Sequence, residues 1–425
     1  MSFKRKWLQS TVWTIPLLYA LIAIAAGLTF PRIEAREWPG LASRMSISVA
    51  TAIYSAIASG MIALTGVVFS LTFVMVQFSA TAYSPRLVLW IARDPVMSHA
   101  LGIFTATFLY AIAALAGLDR SGLGRAPFIS AWILVAMLFA SVAMFISLVQ
   151  RVGVLQISRM LIFTGDHGRK VIQTIYRPLD SSVTDRSNEF RQCSSVQVLV
   201  CHGRPRAIQA VDAATLVKLA EASDGVIEVS VTVGDTVGEM TPLLRVFGAS
   251  RTIDEAELRP AIDVGGERTF ENDPKYAIRL LVDIAIRALS PAVNDPTTAV
   301  QALDQIQDLL ARLGRSGLDI GEYRGGDGKL RLVVPCPTWE DFLRLALDEI
   351  RSYGANSVQV TRRMSALLAD LISALPVERR AALSHWEHRL QATISRSFED
   401  AEEKREAVIE DRQGLGVPRR HSATW

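Results

Sequence analysis

The sequence predicts a membrane α-helical protein of about four transmembrane helices, followed by a cytoplasmic α+β domain with a small β-module and a helical C-terminal part. Three observations carry this prediction. Half of the 425 residues are hydrophobic and only 20% are charged, an apolar excess for a soluble chain. That excess is confined to the first third, where residues 7–31, 45–85, 95–118 and 126–150 contain no Asp, Glu, Lys or Arg. From Arg151 onward charges return at ordinary globular density.

Each charge-free run exceeds the roughly 20 residues that cross a ~30 Å hydrocarbon core. The first is not a cleavable signal peptide, because it lacks a small-residue cleavage site and further spans follow. Residues 45–85 form one run of 41 residues, which as a single helix would extend about 60 Å, twice the core thickness. Lys4, Arg5 and Lys6 precede the first run, so the positive-inside rule puts the N-terminus in the cytoplasm. If Arg86, Arg93 and Arg151 are also cytoplasmic, spans lie near 12–30, 60–80, 97–118 and 128–150 of a transmembrane domain covering 1–150. Residues 45–59 then form a helix at the outer face or a vestibule wall. The expected location is the bacterial inner membrane, multi-pass, with both termini cytoplasmic.

No ionised side chain falls within any expected span, which removes the usual signature of proton relays and ion-coupled pumps. In the second span, Ser55, Ser59, Ile62, Gly66, Ser70, Phe73 and Gln77 recur at three- and four-residue spacing, placing small and polar groups on one stripe. Small residues let helices approach closely in lipid. A stripe of hydroxyls, glycine and one amide also suits a pore wall, so Ser59, Gly66, Ser70, Phe73 and Gln77 are the pore-lining candidates. His99 opens the third span, as an interfacial anchor or a pH-sensitive group.

Residues 151–178 read as a helical stalk whose arginines meet anionic headgroups. A β-rich module follows over 190–265. "VQVLVCHG" and "RAIQAVD" read as a hairpin across a Gly/Pro turn, and 213–223 as a short helix. "IEVSVTVGDTVGEMTPLLRV" (227–246) resembles the second half of a lipoyl- or biotinyl-type β-barrel through Gly234, Asp235, Val237, Pro242 and Leu243. Met240 stands where that pattern has glycine, and no lysine sits at a hairpin tip, so no cofactor is expected. Residues 266–398 read as mainly helical. They include a strand at "KLRLVVP" and helices near 338–353, 357–375 and 377–398, and a disordered tail is expected over 399–425.

"DPKYAIRLLVDIAIRALSPAVNDPTTA" joins two of these helices. Asp273 and Asp295, each followed by proline, are N-caps with proline at the first helical position. Ser290-Pro291 stops a helix, and Asn294 tolerates a left-handed turn. The motif therefore reads as a corner. The functional alternative is an ion or small-ligand site formed by Asp283, Arg287, Asn294 and Asp295. The segments "TGVVFSLTFVMVQFSATAYSPRL" and "DIAIRALSPAVNDPTTA" resemble a bacterial membrane-protein family, domain of unknown function 2254. That resemblance implies an integral membrane protein and no particular activity.

Three cysteines, Cys193, Cys201 and Cys336, form neither a CxxC nor a paired framework, and suit a reducing compartment. There is no nucleophile–base pair, no metal-spaced His/Cys cluster and no phosphate loop, since "RGGDGK" (324–329) lacks Walker spacing. No enzyme, metal or nucleic-acid partner is expected. The expected partners are the bilayer, further copies of the chain, and an ion or small ligand. The sequence thus points to an oligomeric ion channel or passive transporter with a regulatory cytoplasmic domain. The alternative is a membrane-anchored sensor or scaffold without transport.

Overall fold

In the computed structural model, Gly27 lies so close to a neighbouring helix that an added Cβ would sit 2.7 Å from the Ala113 Cβ and 2.9 Å from the Tyr110 carbonyl. This contact joins the first and third of four N-terminal helices, α1 (Thr11–Glu37), α2 (Ile47–Ala82), α3 (Pro95–Leu118) and α4 (Phe128–Val152). The structure describes residues 11–37, 46–82, 95–118, 127–152, 157–179, 190 and 195–416. The chain divides into two units, residues 1–156 and 157–425.

The four helices of the first unit are long and apolar enough to cross a membrane, with candidate spans Thr14–Glu34, Ile47–Leu71, Val96–Gly117 and Phe128–Gln150. α3 is their centre, with more than half of its apolar window buried against less than a quarter in the other three. Small residues make this possible. Gly102 admits the Tyr19 ring, and Ala23, Ala50, Ala58, Ala106, Ala111 and Ala114 are buried together. Thr107 and Ser141 join α3 to α4 through a hydroxyl pair at 3.0 Å.

Residues 47–59 are not a separate outer helix. They are the first turns of α2, which runs unbroken because no proline interrupts it and a buried stripe of Ala50, Tyr54, Ala58, Met61 and Val68 continues along it. The candidate span therefore starts at Ile47 rather than near 60. α4 ends at Val152 and a new helix, α5, covers Ile157–Ile175; residues 153–156 lie outside the described set.

α5 packs one face into the core of the second unit. Met160, Leu161, Val171 and Ile172 are buried. An added Cβ on Gly168 would sit 2.9 Å from both Ala277 and Leu309 of two later helices, α8 (Pro274–Ala288) and α9 (Pro296–Gly314). Arg169 pairs with Asp166 and with Asp308 of α9.

Strands of the second unit are β1 (Arg177–Pro178), β2 (Ser195–Val200), β3 (Arg206–Val211), β4 (Val226–Val229), β5 (Thr236–Val237), β6 (Pro242–Phe247), β7 (Ile262–Gly265), β8 (Ser316–Gly317), β9 (Glu322–Arg324) and β10 (Leu330–Val333). They form sheets β2-β6-β4-β10-β9, β5-β3-β7 and β1-β8. The expected hairpin of β2 with β3 does not form. β2 pairs with β6 and β3 with β5 and β7, because the Cys201 amide and carbonyl bond Thr241 and Met240 and send the chain into a different sheet. The module also extends past residue 265, since β10 runs parallel to β4 in its centre. "RGGDGK" is the tip of the β9–β10 hairpin, held by Arg331 on Asp224 and Asp327.

Two short helices, α6 (Ala213–Ala222) and α7 (Glu255–Leu258), pack beside the strands. The larger helices follow: α8, α9, α10 (Trp339–Tyr353), α11 (Val358–Ala374) and α12 (Val377–Ser397). The starts of α8 to α11 are dictated locally by the caps Asp273, Asp295, Ser357 and a Thr338/Asp341 capping box. Gly234, at φ +92°, leaves room for the Arg268–Asp273 pair, which an added Cβ would strike. Burial pushes the Asp273 carboxyl up, against the pull of Arg268.

The segment expected to be a disordered tail is structured up to residue 416, while 417–425 lie outside the described set. Asp400 caps α13 (Ala401–Val408). Arg362 of α11 donates to the Glu406 carbonyl at 2.7 Å, and the buried Asp411 accepts from the amides of Gln413 and Gly416. Its charges thus face specific partners on α11, a distinction that composition does not register.

Candidate functional site

The small and polar stripe of α2 lies well round the helix from its buried stripe, by about 140° at 3.6 residues per turn. Ser59, Gly66, Ser70, Phe73 and Gln77 are all exposed. A Cβ on Gly66 would meet nothing within 4 Å, whereas one on Gly27 would collide. Within one chain, then, Gly27 serves helix packing and Gly66 does not. Phe73 and Gln77 lie further along the same uncharged helix, which continues to Ala82.

A carboxylate that sequence reasoning placed outside the spans ends the first candidate span. Glu34 is 3% exposed. Its two oxygens accept the Ile129 amide at 2.8 Å and the Ser130 amide at 3.0 Å. These are orphan N–H groups of the first turn of α4, where the helix dipole favours negative charge. The Ser130 hydroxyl in turn lies 3.0 Å from the Tyr110 hydroxyl, and Tyr54 is buried from α2, so all four helices meet at one polar cluster. The sequence hid Glu34 because Pro31 and Arg32 mark an apparent end to the run, yet α1 continues through the proline to Glu37. His99 lies 3.3 Å from the Tyr19 hydroxyl.

In the second unit, the segment 287–299 turns a corner between α8 and α9. Ser290 donates its hydroxyl to the Arg287 carbonyl at 2.7 Å, and the Ser290 carbonyl accepts from the Val293 and Asn294 amides. Asn294 has φ +49°, the left-handed conformation that asparagine tolerates. The Asp295 carboxylate accepts from the Thr298 amide and hydroxyl at 3.1 and 2.6 Å. Asp283 lies in another network, accepting from Arg279 at 2.7 Å, while Arg279 also grips Glu349 of α10 with two nitrogens. The Glu349 hydrogen bond leads in raising the Arg279 pKa, and Glu349 is held below the usual carboxylate range by the same bond. Among the described residues, no three His, Cys, Asp or Glu side chains are grouped to hold a metal ion.

Four apolar helices and the corner motif both fall within a match to one family, described as Predicted membrane protein (DUF2254), which covers residues 9–370. The chain belongs to this family. Among its relatives are the Mycobacterium bovis protein named Uncharacterized protein Mb1321c and the Mycobacterium tuberculosis protein named Uncharacterized protein Rv1290c. Each is 26% identical over 414 residues, covering 94% of this chain and 79% of the relative. No solved structure matches the chain.

Proposed function

We propose that this DUF2254 membrane protein is a homo-oligomeric passive ion channel or transporter of the bacterial inner membrane, with α2 lining the pathway and the second unit regulating it. The observation that carries the reading is the exposure of Ser59, Gly66, Ser70 and Gln77 on the side of α2 that the chain itself does not cover. Copies arranged about an axis would turn that uncharged polar stripe toward water and keep Phe69 and Val74 toward lipid or neighbours. Residues 45–85 carry no Asp, Glu, Lys or Arg, which suits downhill movement, and the reading assigns no enzymatic activity. The cytoplasmic placement of both termini rests on Lys4, Arg5 and Lys6.

The test is ion flux through purified protein in liposomes. The expected result is passive flux whose cation preference rises in Gln77→Glu, because a ring of carboxylates on the pathway wall attracts cations. Well-assembled protein that carries no flux over a range of pH and voltage, in both wild type and variant, would instead favour a membrane-anchored sensor.

A further inference from the structure

A cleft of about 490 Å³ opens between α9 and α11 in the second unit, within the size range of small-molecule sites. Its centre is Arg363, whose side chain is 4% exposed. Arg363 Nε donates to Asp304 Oδ1 at 2.8 Å and Nη2 to Gln307 Oε1 at 2.6 Å. Nη1 is buried without a hydrogen-bond partner. A desolvated guanidinium nitrogen left unmatched is unfavourable, and of the acceptor oxygens that could meet it a carboxylate forms the stronger, charge-assisted bond.

The neighbours cannot swing round to satisfy it. Gln307 Nε2 is tied to Asp370 Oδ2 at 3.1 Å, which fixes its Oε1 on Arg363. Asp370 is gripped from the other side by Arg412 Nε at 2.9 Å and Nη2 at 2.5 Å. Asp304 is half exposed, at 49%, and so can receive a donor from the cleft. Leu371 supplies an apolar wall. The charged side chains lining the cleft are two arginines and two aspartates, so a ligand of net charge would be repelled by one pair as much as it is held by the other. A ligand that carries both charges satisfies both.

We propose that this cleft binds a small zwitterion of the α-amino-acid class, with its carboxylate on Arg363 Nη1 and its ammonium beside Asp304. Nη1 has no exposed surface, so engagement requires side chains of the cleft wall to move, and Arg412, a lining residue of the C-terminal segment, is 55% exposed. A ligand there pulls on that segment and on α9 and α11 together, a route by which the second unit responds to a solute. The site stands without the conduction reading, because it is tested by binding alone.

Purified full-length protein in detergent is titrated with the common L-amino acids, and with inorganic phosphate, acetate and methylamine as single-charge probes, following heat release and thermal midpoint. The expected result is saturable binding of one or a few amino acids and none of the single-charge probes. Asp304→Asn keeps an oxygen for Arg363 Nε but removes the charge facing the ammonium. Arg363→Lys keeps the positive charge but loses the fork. Each should weaken binding about tenfold or more, and because Asp304→Asn takes the charged partner from the buried Arg363 its unliganded midpoint should fall while unfolding stays one cooperative transition, so binding is compared well below that midpoint. Binding of phosphate or acetate instead, binding of amino acids unchanged in Asp304→Asn, or no amino acid bound at all would each overturn the proposal. Liposome flux can fail while this binding succeeds, and the converse, so the two readings are judged separately.

Discussion

Replacing Glu34 by alanine removes the carboxylate that closes the first turn of α4. Glu34 is 3% exposed and accepts two amides, at 2.8 and 3.0 Å, so the substitution strands two buried N–H groups. Each such group costs about 1–3 kcal/mol, which sums to about 2–6 kcal/mol, with loss of the dipole interaction included in the upper part of that range. Glu34→Gln keeps one carbonyl acceptor and turns a donor toward the other amide, so it should lose about half as much. The assay is thermal or denaturant unfolding in detergent, with Ser130→Ala as a milder comparison, because Tyr110 also lies 3.3 Å from the Ser130 carbonyl. Stability that is the same in wild type, Glu34→Gln and Glu34→Ala would refute the cap.

Gly27→Ala should destabilise the first unit by about 1–3 kcal/mol through overpacking against Ala113, whereas Gly66→Ala in the single chain should be neutral or gain up to about 1 kcal/mol of helix propensity. Equal effects in unfolding experiments would contradict the packing. Asp295→Ala should cost about 0.5–2 kcal/mol and Asp295→Ser should recover most of it, because a hydroxyl also caps; a charge-dependent site is the better account if serine fails at normal stability. For Asp308, burial pushes the pKa up, but hydrogen bonds from Arg169 and Arg312 outweigh it and hold it below the usual range. The stability from that charge is complete above the ordinary aspartate value and disappears as pH falls through the lower folded value. Thermal midpoints against pH should therefore show a shallower acid limb in Asp308→Asn, and an unchanged limb would dismiss the pairing. Asp273, whose folded pKa is raised, acts with the opposite sign, adding stability as pH falls.

Much of the architecture was legible in the chain itself. Charge-free runs announced four membrane helices because hydrocarbon excludes ionised groups over a fixed thickness. The helix starts at Asp273 and Asp295, and the left-handed Asn294, were legible because capping and turn chemistry act over a few residues. Met240, standing where the barrel pattern has glycine, does adopt a positive φ, +62°. These are local properties, and a local pattern carries them in full.

What only the tertiary structure decided depends on residues far apart in sequence. β2 and β3 carry ordinary strand patterns, yet the choice of β6 for one and of β5 and β7 for the other follows from which edges the folded chain presents. β10 joins β4 across about a hundred residues because both are apolar on the same face of one sheet. Arg412 finds Asp370, and Glu34 finds the start of α4, through partners 42 and 95 residues away. The α2 stripe has the spacing of a packing face, but only the placement of α3 and α4 shows that the chain leaves it uncovered. Periodicity fixes which residues share a side of a helix; which neighbour meets that side is set by shape and charge complementarity between elements, and the sequence states that nowhere in one place.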